Sequence, residues 1–202
     1  MNLTKYDRLP RVFYERDPLV VSKDLLGKFL VRKTKEGEIV GEIVETEAYV
    51  GPHDKASHAY NNKRTSRTLV QFGERGVAYV YTIYGMYHCF CIVVGPRNTP
   101  AVTLIRAVKP IRGVELMRRN RGLDENVPIN KLANGPSKLC RAFGITSKLN
   151  GLNLLGEDLF LCRETQSAFE VGQSARIGID YAEEYRGVQW RFYEKDSEFV
   201  SK

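Results

Sequence analysis

The chain has 202 residues, of which 43% are hydrophobic and 27% are charged. That composition predicts one compact domain, residues 1–202, and argues against a disordered protein. With 31 Lys and Arg against 24 Asp and Glu, the formal charge is +7, which favours an anionic partner, nucleic acid ahead of an anionic membrane. No segment has the length and apolar character of a signal peptide or membrane span, so we expect a soluble, cytoplasmic protein.

The first part of the chain predicts a short helix and a β-hairpin. Asp17 and Pro18 are typical of a helix N-cap and first helical position, and Gly27 is typical of a helix end. Two β-rich runs then flank Lys35–Gly37, which favours a hairpin, and the second run is EIVGEIVETEAY.

The end of that second run carries two carboxylates beside an aromatic residue. In an extended chain, side chains alternate between two faces. Four residues are therefore expected on one face: Ile43, Glu45, Glu47 and Tyr49. Two carboxylates on a half-apolar strand are costly to bury without a partner. The cluster, with His58 in an irregular or short helical segment beyond it, indicates hydrolytic chemistry on a flat substrate. The alternative is two surface or salt-bridged glutamates beside a core tyrosine.

A polar stretch, NNKRTSRT, follows at residues 61–68. A charged run is usually a solvated face, but Lys63, Arg64 and Arg67 lie between two candidate site segments and are also candidates for phosphate contacts. Both interpretations stay open.

The run VAYVYTIYGMYHCFCIVV predicts a second hairpin, with its turn at Gly85–Met86. Tyr79 and Tyr81 are expected on one face, and Tyr84 points the other way at the tip. A tyrosine at a hairpin tip lacks the neighbours for full burial. Tyr84 therefore either packs on an adjoining loop or is presented to a partner.

The run AVTLIRAVKP predicts an apolar strand interrupted by Arg106. The charge of Arg106 needs a carboxylate partner, for which Glu45 and Glu47 are candidates. A helix is predicted from about Pro110.

The rest of the chain predicts a loop, a short helix and three strands. The loop covers residues 123–133, and residues 134–138 then open a helix whose N-terminal amides, with Ser137 and Lys138, form a candidate phosphate site. The predicted strands are DLFLCR, ARIGID and QWRFYEK.

The four cysteines, Cys89, Cys91, Cys140 and Cys162, are expected to be reduced and buried as small hydrophobic residues. His88 beside Cys89 and Cys91 raises a zinc site as an alternative. The sequence offers no CxxC spacing and no second Cys/His pair to complete it.

Five blocks occur in order over nearly the whole chain, from about Leu25 to Ser201. They are IVETEAYVGP with His58 downstream, YVYTIYGMYHC, LIRA, NGPSKLC, and ARIGID with WRFYEKDSEFVS. Together they resemble the alkyladenine (3-methyladenine) DNA glycosylases of the mammalian type, which also occur in bacteria. The resemblance implies a single-domain α+β fold, with a curved antiparallel β-sheet and a protruding β-hairpin surrounded by short helices.

The resemblance also implies how the reaction is catalysed. Glu47 would be the general base that positions and activates a water molecule, and Arg106 would help to hold that water. A backbone carbonyl of Ile177 or Ile179 would add a third contact to the water. The reaction would be simple hydrolysis, because no lysine stands out beside Glu47 to form a Schiff base, and no metal or cofactor is expected.

Other matching residues are implied to bind the substrate. Tyr49 would stack on one face of a flipped base, with His58 and Tyr81 on the other. Tyr84 would be the wedge inserted into the duplex. Further DNA contacts are expected from the hairpin tip and the basic segments: Met86, Lys63, Arg64, Arg67, residues 118–121, Ser137 and Lys138. Many family members have asparagine where this chain has Cys91 in the base pocket, which predicts looser selectivity between lesions.

The expected activity is therefore excision of alkylated or deaminated purines from duplex DNA, leaving an abasic site, by a monomer acting at the bacterial nucleoid. One alternative is a non-catalytic nucleic-acid-binding module with the same basic and aromatic surface, which gains nothing from Glu47 facing a polyanion. Another is a metal-dependent nuclease built on Glu45, Glu47 and Asp54, which sensitivity to a chelator would reveal.

Overall fold

The computed structural model of the chain describes residues 6–163 and 168–201. Within these residues, eight strands form one sheet: β1 Phe29–Thr34, β2 Gly37–Tyr49, β3 Ala78–Ile83, β4 Tyr87–Val94, β5 Ala101–Arg112, β6 Leu159–Cys162, β7 Val171–Ser174 and β8 Arg191–Glu194. The order is β3-β4-β5-β2-β1-β6, and β8 pairs with both β2 and β7. All these pairings are antiparallel, which confirms the expected α+β fold on a curved antiparallel sheet.

In the part of the chain that the structure describes, four short α-helices accompany the sheet: α1 Arg11–Tyr14, α2 Pro18–Asp24, α3 Val114–Arg121 and α4 Pro136–Ala142. The predicted start of α2 is confirmed, because the Asp17 carboxylate accepts hydrogen bonds from the amides of Leu19 and Val20 at 2.9 and 3.1 Å. Short 3₁₀ turns occur at Tyr60–Asn62, Leu69–Phe72, Ile129–Lys131, Ser147–Leu149 and Glu183–Gly187. Among the described residues, no helix is long and apolar enough to cross a bilayer.

The two faces of the sheet have different surroundings. The helices cover one face, where Val21, Met117 and Leu139 join the main hydrophobic core. Side chains of the opposite face form a smaller apolar cluster that includes Cys91 and Leu104. Because side chains alternate along each strand, this second face is free to carry a site while the first supplies most of the buried apolar area.

A pair of bulges changes which side chains share a face near the end of β2. The register pairs Ile43 with Val108, Glu45 with Ala107, and then Thr46 with Ile105, so Val44 on β2 and Arg106 on β5 are each an extra residue. The extra Val44 turns Ile43 into the helix-side core, whereas the glutamates after it face the other way. The expectation that Ile43 shares the face of Glu45 is therefore wrong.

The helix predicted from about Pro110 begins later. Strand β5 continues two residues past Pro110, and α3 begins at Val114. Pro110 stands opposite Gly41, beside a shift in the β2–β5 register, where the missing N–H is tolerated. Gly113 makes the turn into α3 with φ of 75°, and a Cβ there would collide with the carbonyl oxygen of Glu38.

The strand predicted at ARIGID, residues 175–180, does not form, and β7 lies just before it. Gly178 has φ of 75°, in the left-handed region that favours glycine. The Arg176 side chain is buried against Asp54 instead of standing on a sheet. A tertiary contact therefore overrides the β-rich local sequence, and the segment becomes a loop that reaches over β2.

Candidate active site

A cavity of about 340 Å³ opens on the sheet face that carries the smaller apolar cluster. The strand register explains its position, because Tyr79, Cys91, Leu104 and Glu47 form one row across β3, β4, β5 and β2. Loops from residues 56–58 and 177–181 complete the walls. A space of this size and depth suits a small, flat molecule.

The Glu47 carboxylate lies directly behind the cavity wall and is fully buried. Its Oε1 accepts a hydrogen bond from the Ile177 amide at 2.8 Å and forms an ion pair with Arg106 Nη1 at 3.2 Å. Its Oε2 accepts a hydrogen bond from the Tyr49 hydroxyl at 2.8 Å. These three partners all line the cavity, so Glu47 is oriented by the wall it supports. Ile177 contacts Glu47 through its backbone N–H rather than through its carbonyl group.

Glu45 lies on the same strand face but has different hydrogen-bond partners. Its carboxylate accepts hydrogen bonds from Arg106 Nε at 2.9 Å, Arg191 Nε at 2.7 Å, and the Ser201 amide and hydroxyl at 2.7 and 2.8 Å. Four donors therefore hold Glu45, three at Oε1 and one at Oε2, and two of these donor residues, Arg191 and Ser201, do not line the cavity, whereas all three polar partners of Glu47 do. The structure thereby distinguishes two glutamates that the sequence could not rank.

Arg106 links the two carboxylates, as expected from its place in an apolar strand. Burial alone would lower the pKa of Arg106, but Glu47 and Glu45 outweigh that effect and raise it. The guanidinium therefore remains charged and is fixed at the cavity edge. Its bulged position in β5 aims it at this face, which fits the frequent use of bulges to direct side chains at functional sites.

A buried ion pair missed at the sequence level holds the loop above Glu47. Arg176 donates to Asp54 from both terminal nitrogens, at 2.6 and 2.8 Å, and both side chains are fully buried. Its guanidinium also lies 4.7 Å from the ring centre of Tyr49 and donates to the Ala48 carbonyl at 2.9 Å. Arg176 thus braces the tyrosine and the loop that presents the Ile177 amide.

Aromatic side chains form the opposite part of the cavity. His58 Nδ1 is hydrogen bonded to the Tyr79 hydroxyl at 2.8 Å, and its ring meets Tyr81 edge-on at 4.7 Å between centroids. Burial, with a smaller effect of Arg67, lowers the pKa of His58 to about 4, so the ring is neutral near pH 7. Burial also raises the pKa of Tyr49, with a further contribution from Glu47, so its phenol keeps the proton it donates. The expected gathering of Tyr49, His58 and Tyr81 around one space is observed.

The cysteines behave as buried hydrophobic residues. All four are buried, as expected, and Cys89, Cys91 and Cys140 are free thiols. Cys89 and Cys91 lie on the cavity floor, and burial raises the pKa of both thiols. His88 is on the other side of β4, where its ring contacts the Thr82 hydroxyl at 3.2 Å. The histidine and the two thiols therefore do not converge as zinc ligands.

The tip of the β3–β4 hairpin stands out from the protein beside the cavity. Tyr84 has φ of 50° and Gly85 has φ of 73°, as in the tight turns that join hairpin strands. The Tyr84 side chain is 87% exposed and that of Met86 is 68% exposed, and Tyr84 also lines the cavity mouth. Among the described residues, packing of Tyr84 on an adjoining loop is not observed, and its side chain is exposed beside the cavity.

The predicted phosphate-binding side chains lie on the surface. Lys63, Arg64 and Arg67 are exposed, and Arg67 lies 5.0 Å from the ring centre of Tyr81. Lys138 is also exposed, with its ammonium group donating to Asn134, and Ser137 is half-buried beside Pro136 in the cavity wall. Basic groups thus flank the cavity.

The carboxylates of the metal-nuclease alternative do not come together. Asp54 is engaged by Arg176, and Glu45 by two arginines, so these groups are neutralised in separate places. Within residues 6–163 and 168–201, no group of three or more His, Cys, Asp or Glu residues is arranged to hold a metal ion. The site geometry is that of a carboxylate–arginine pair beside an aromatic cage.

Comparison with known proteins identifies the family. Residues 12–198 match the family model described as methylpurine-DNA glycosylase. Curated proteins of Desulfitobacterium hafniense (strain Y51), Clostridium novyi (strain NT) and Bacillus cereus (strain G9842), each named "Putative 3-methyladenine DNA glycosylase", are 46%, 47% and 47% identical to the chain. Each alignment covers 96% of this chain and 98% of the relative. The chain therefore belongs to the methylpurine-DNA glycosylase family and is a hydrolase of N-glycosyl bonds in DNA.

Proposed function

We propose that the protein turns a damaged purine nucleotide out of duplex DNA into this cavity and cleaves its N-glycosidic bond with a water molecule activated by Glu47. The observation that carries the proposal is the state of that carboxylate. Glu47 is buried among cavity-lining groups, and its three polar partners leave about one acceptor site, on Oε2. A water molecule hydrogen bonded at that site would lie beside any base that contacts Tyr49.

Base extrusion accounts for the aromatic residues. A base stacked inside a duplex hides the sugar C1′ from attack, so the nucleotide has to leave the helix at a cost of a few kcal/mol. Stacking of the extruded base on Tyr49 and Tyr81 would return about 1–3 kcal/mol. The exposed Tyr84 side chain would fill the gap left in the duplex and oppose the return of the base.

The chemical step requires only a base and a stabilising charge. Water attacks C1′ while the C1′–N bond breaks, the purine leaves with the bonding electrons, and Glu47 takes the water proton. The carboxylate also stabilises the positive charge that develops on the sugar. A purine that alkylation has made cationic leaves as a neutral base, so such lesions need no acid catalyst. Arg106 would keep Glu47 in place, and the abasic site would remain in the DNA.

Analysis of the products from a panel of damaged duplexes tests this function. The panel contains 3-methyladenine, hypoxanthine, 1,N6-ethenoadenine and 7-methylguanine in otherwise identical sequence. We expect release of free purine with an intact strand, no covalent complex on borohydride treatment, and the same rate with EDTA present. Tight binding without base release would favour the non-catalytic module, and activity lost in EDTA and restored by magnesium would favour the metal nuclease.

A further inference from the structure

Gln71 is a buried side chain of the cavity that the proposed reaction does not use. It lies in the 3₁₀ turn Leu69–Phe72, is 1% exposed and lines the cavity. Its amide nitrogen and amide oxygen both lack a hydrogen-bond partner among the described residues. No other cavity-lining side chain in residues 6–163 and 168–201 has buried polar atoms without a partner.

The surroundings do not satisfy this amide. The nearby Tyr79 hydroxyl is already bonded to His58. Burial raises the pKa of Tyr79 to about 12, and the nearby Gln71 amide has a smaller, lowering effect on that pKa. The two side chains are therefore close to each other, but they do not form a hydrogen bond of normal geometry. The Gln71 backbone is anchored through its N–H to Thr68 and its carbonyl to Arg75. The side chain is therefore held at the cavity.

An unpartnered buried amide lowers the stability of a folded protein, because its hydrogen bonds to water are lost and not replaced. Such groups are rare and call for an explanation. Apolar side chains and thiols make up the neighbouring floor, and they are poor hydrogen-bonding partners for a ligand. An amide in that setting has the properties of a recognition group retained at the expense of stability.

We propose that Gln71 is a specificity-determining residue that reads the edge of the extruded base through one donated and one accepted hydrogen bond. This assignment rests on the proposed function, since it requires a base in the cavity. The last side-chain torsion of glutamine has a broad energy profile, so the amide can turn to meet the base at small cost. Glutamine pairs in this way with the adjacent donor and acceptor of adenine.

The chemistry of the lesions makes the proposal selective. In 3-methyladenine, the N6 amino group is a donor that lies between two ring acceptors, so either edge offers Gln71 a two-bond contact. In 1,N6-ethenoadenine, N6 is closed into a ring and carries no proton, so the Gln71 oxygen would stay unpaired. Gln71 therefore favours adenine lesions with a free amino group.

Gln71→Met tests the assignment because methionine keeps the length and unbranched shape but has no amide. Single-turnover release of 3-methyladenine should fall about ten-fold, as expected for loss of a two-bond contact. Release of 1,N6-ethenoadenine should change less than about two-fold, and the thermal midpoint should stay constant or rise, because the unsatisfied group is gone. Gln173→Met, on the exposed part of β7, is the matched control and should alter neither rate.

An unchanged ratio of the two rates, or an equal fall in both with a lower thermal midpoint, would overturn the assignment and make Gln71 a structural residue. These outcomes require an active wild-type protein, which separates them from failure of the proposed function. If the wild-type protein released neither base, the proposed function would be refuted and the role of Gln71 with it.

Discussion

Asp54→Asn is expected to loosen the loop that presents the Ile177 amide to Glu47. Asp54 receives four hydrogen bonds: two from Arg176, and one each from the amides of Val50 and Ala56. Asparagine has nearly the same size but no charge. The NH2 group of asparagine is itself a donor, so it cannot accept the hydrogen bonds that one carboxylate oxygen of Asp54 receives. The substitution leaves the Arg176 guanidinium buried without a counter-ion.

The expected loss of stability is large because both partners are fully buried. Removing one member of a buried ion pair typically costs about 3–5 kcal/mol. In a protein of this size, 1 kcal/mol moves the thermal midpoint by about 2–4 °C, so a fall of about 6–20 °C is expected. The rate of base excision should also fall at temperatures below the unfolding transition, since the positions of the Ile177 amide and the Tyr49 ring both depend on Arg176.

Urea unfolding with an unchanged m-value would measure this loss. Glu183→Gln is the matched control, because it removes one charge from the exposed pair with Lys55 nearby. That variant should leave the midpoint almost unchanged. Asp54→Asn combined with Arg176→Met should recover part of the stability, because the unpaired buried cation is then absent. If Asp54→Asn cost no more than Glu183→Gln, the ion pair would not hold the loop.

Three further outcomes follow from the site. Tyr84→Ala should reduce capture of the extruded base, measured as excision from duplex DNA. The thermal midpoint should stay constant, because the side chain is 87% exposed. A large loss of stability without a loss of binding to damaged DNA would contradict this prediction. Cys91→Asn should change the ratio of adenine-derived to guanine-derived lesions excised by an amount equivalent to about 1–3 kcal/mol, and an unmoved ratio would mean that Cys91 does not contact the base. For His58, the pKa is about 4 in the folded chain against 6.5 for a free side chain. The unfolded chain therefore binds more protons between these values, so the free energy of unfolding should rise as the pH is raised from about 4 to 6.5, and His58→Gln should flatten that rise.

The local sequence was sufficient for most of the strands and for the pairing of Arg106 with the glutamates. Hairpins at Lys35–Gly37 and Gly85–Met86 follow from alternating patterns joined by turn residues, which are short-range signals. The partnership of Arg106 with the glutamates follows from the cost of burying a lone charge. These features depend on a few neighbouring residues or on one strong energetic rule.

Other features depend on contacts between distant parts of the chain. Arg176 and Asp54 are 122 positions apart, and their pairing turns a β-rich segment into a loop. The paired bulges at Val44 and Arg106 arise only when β2 and β5 are aligned, so simple alternation misplaced Ile43. Glu45 and Glu47 share a strand face in the sequence pattern and in the structure, so alternation could not show that the distant residues Arg191 and Ser201 bind Glu45.

The most direct test is the single-turnover rate of Glu47→Gln on a duplex with one damaged purine, measured together with its binding to that duplex. Glutamine keeps the shape and most hydrogen bonds of Glu47 but cannot take the proton from water. Damaged DNA should still bind while excision nearly stops. Glu45→Gln, which affects a carboxylate held by Arg191 and Ser201 outside the cavity, should retain far more activity per folded molecule. Excision at the wild-type rate by Glu47→Gln would contradict the assignment of Glu47 as the base that activates water.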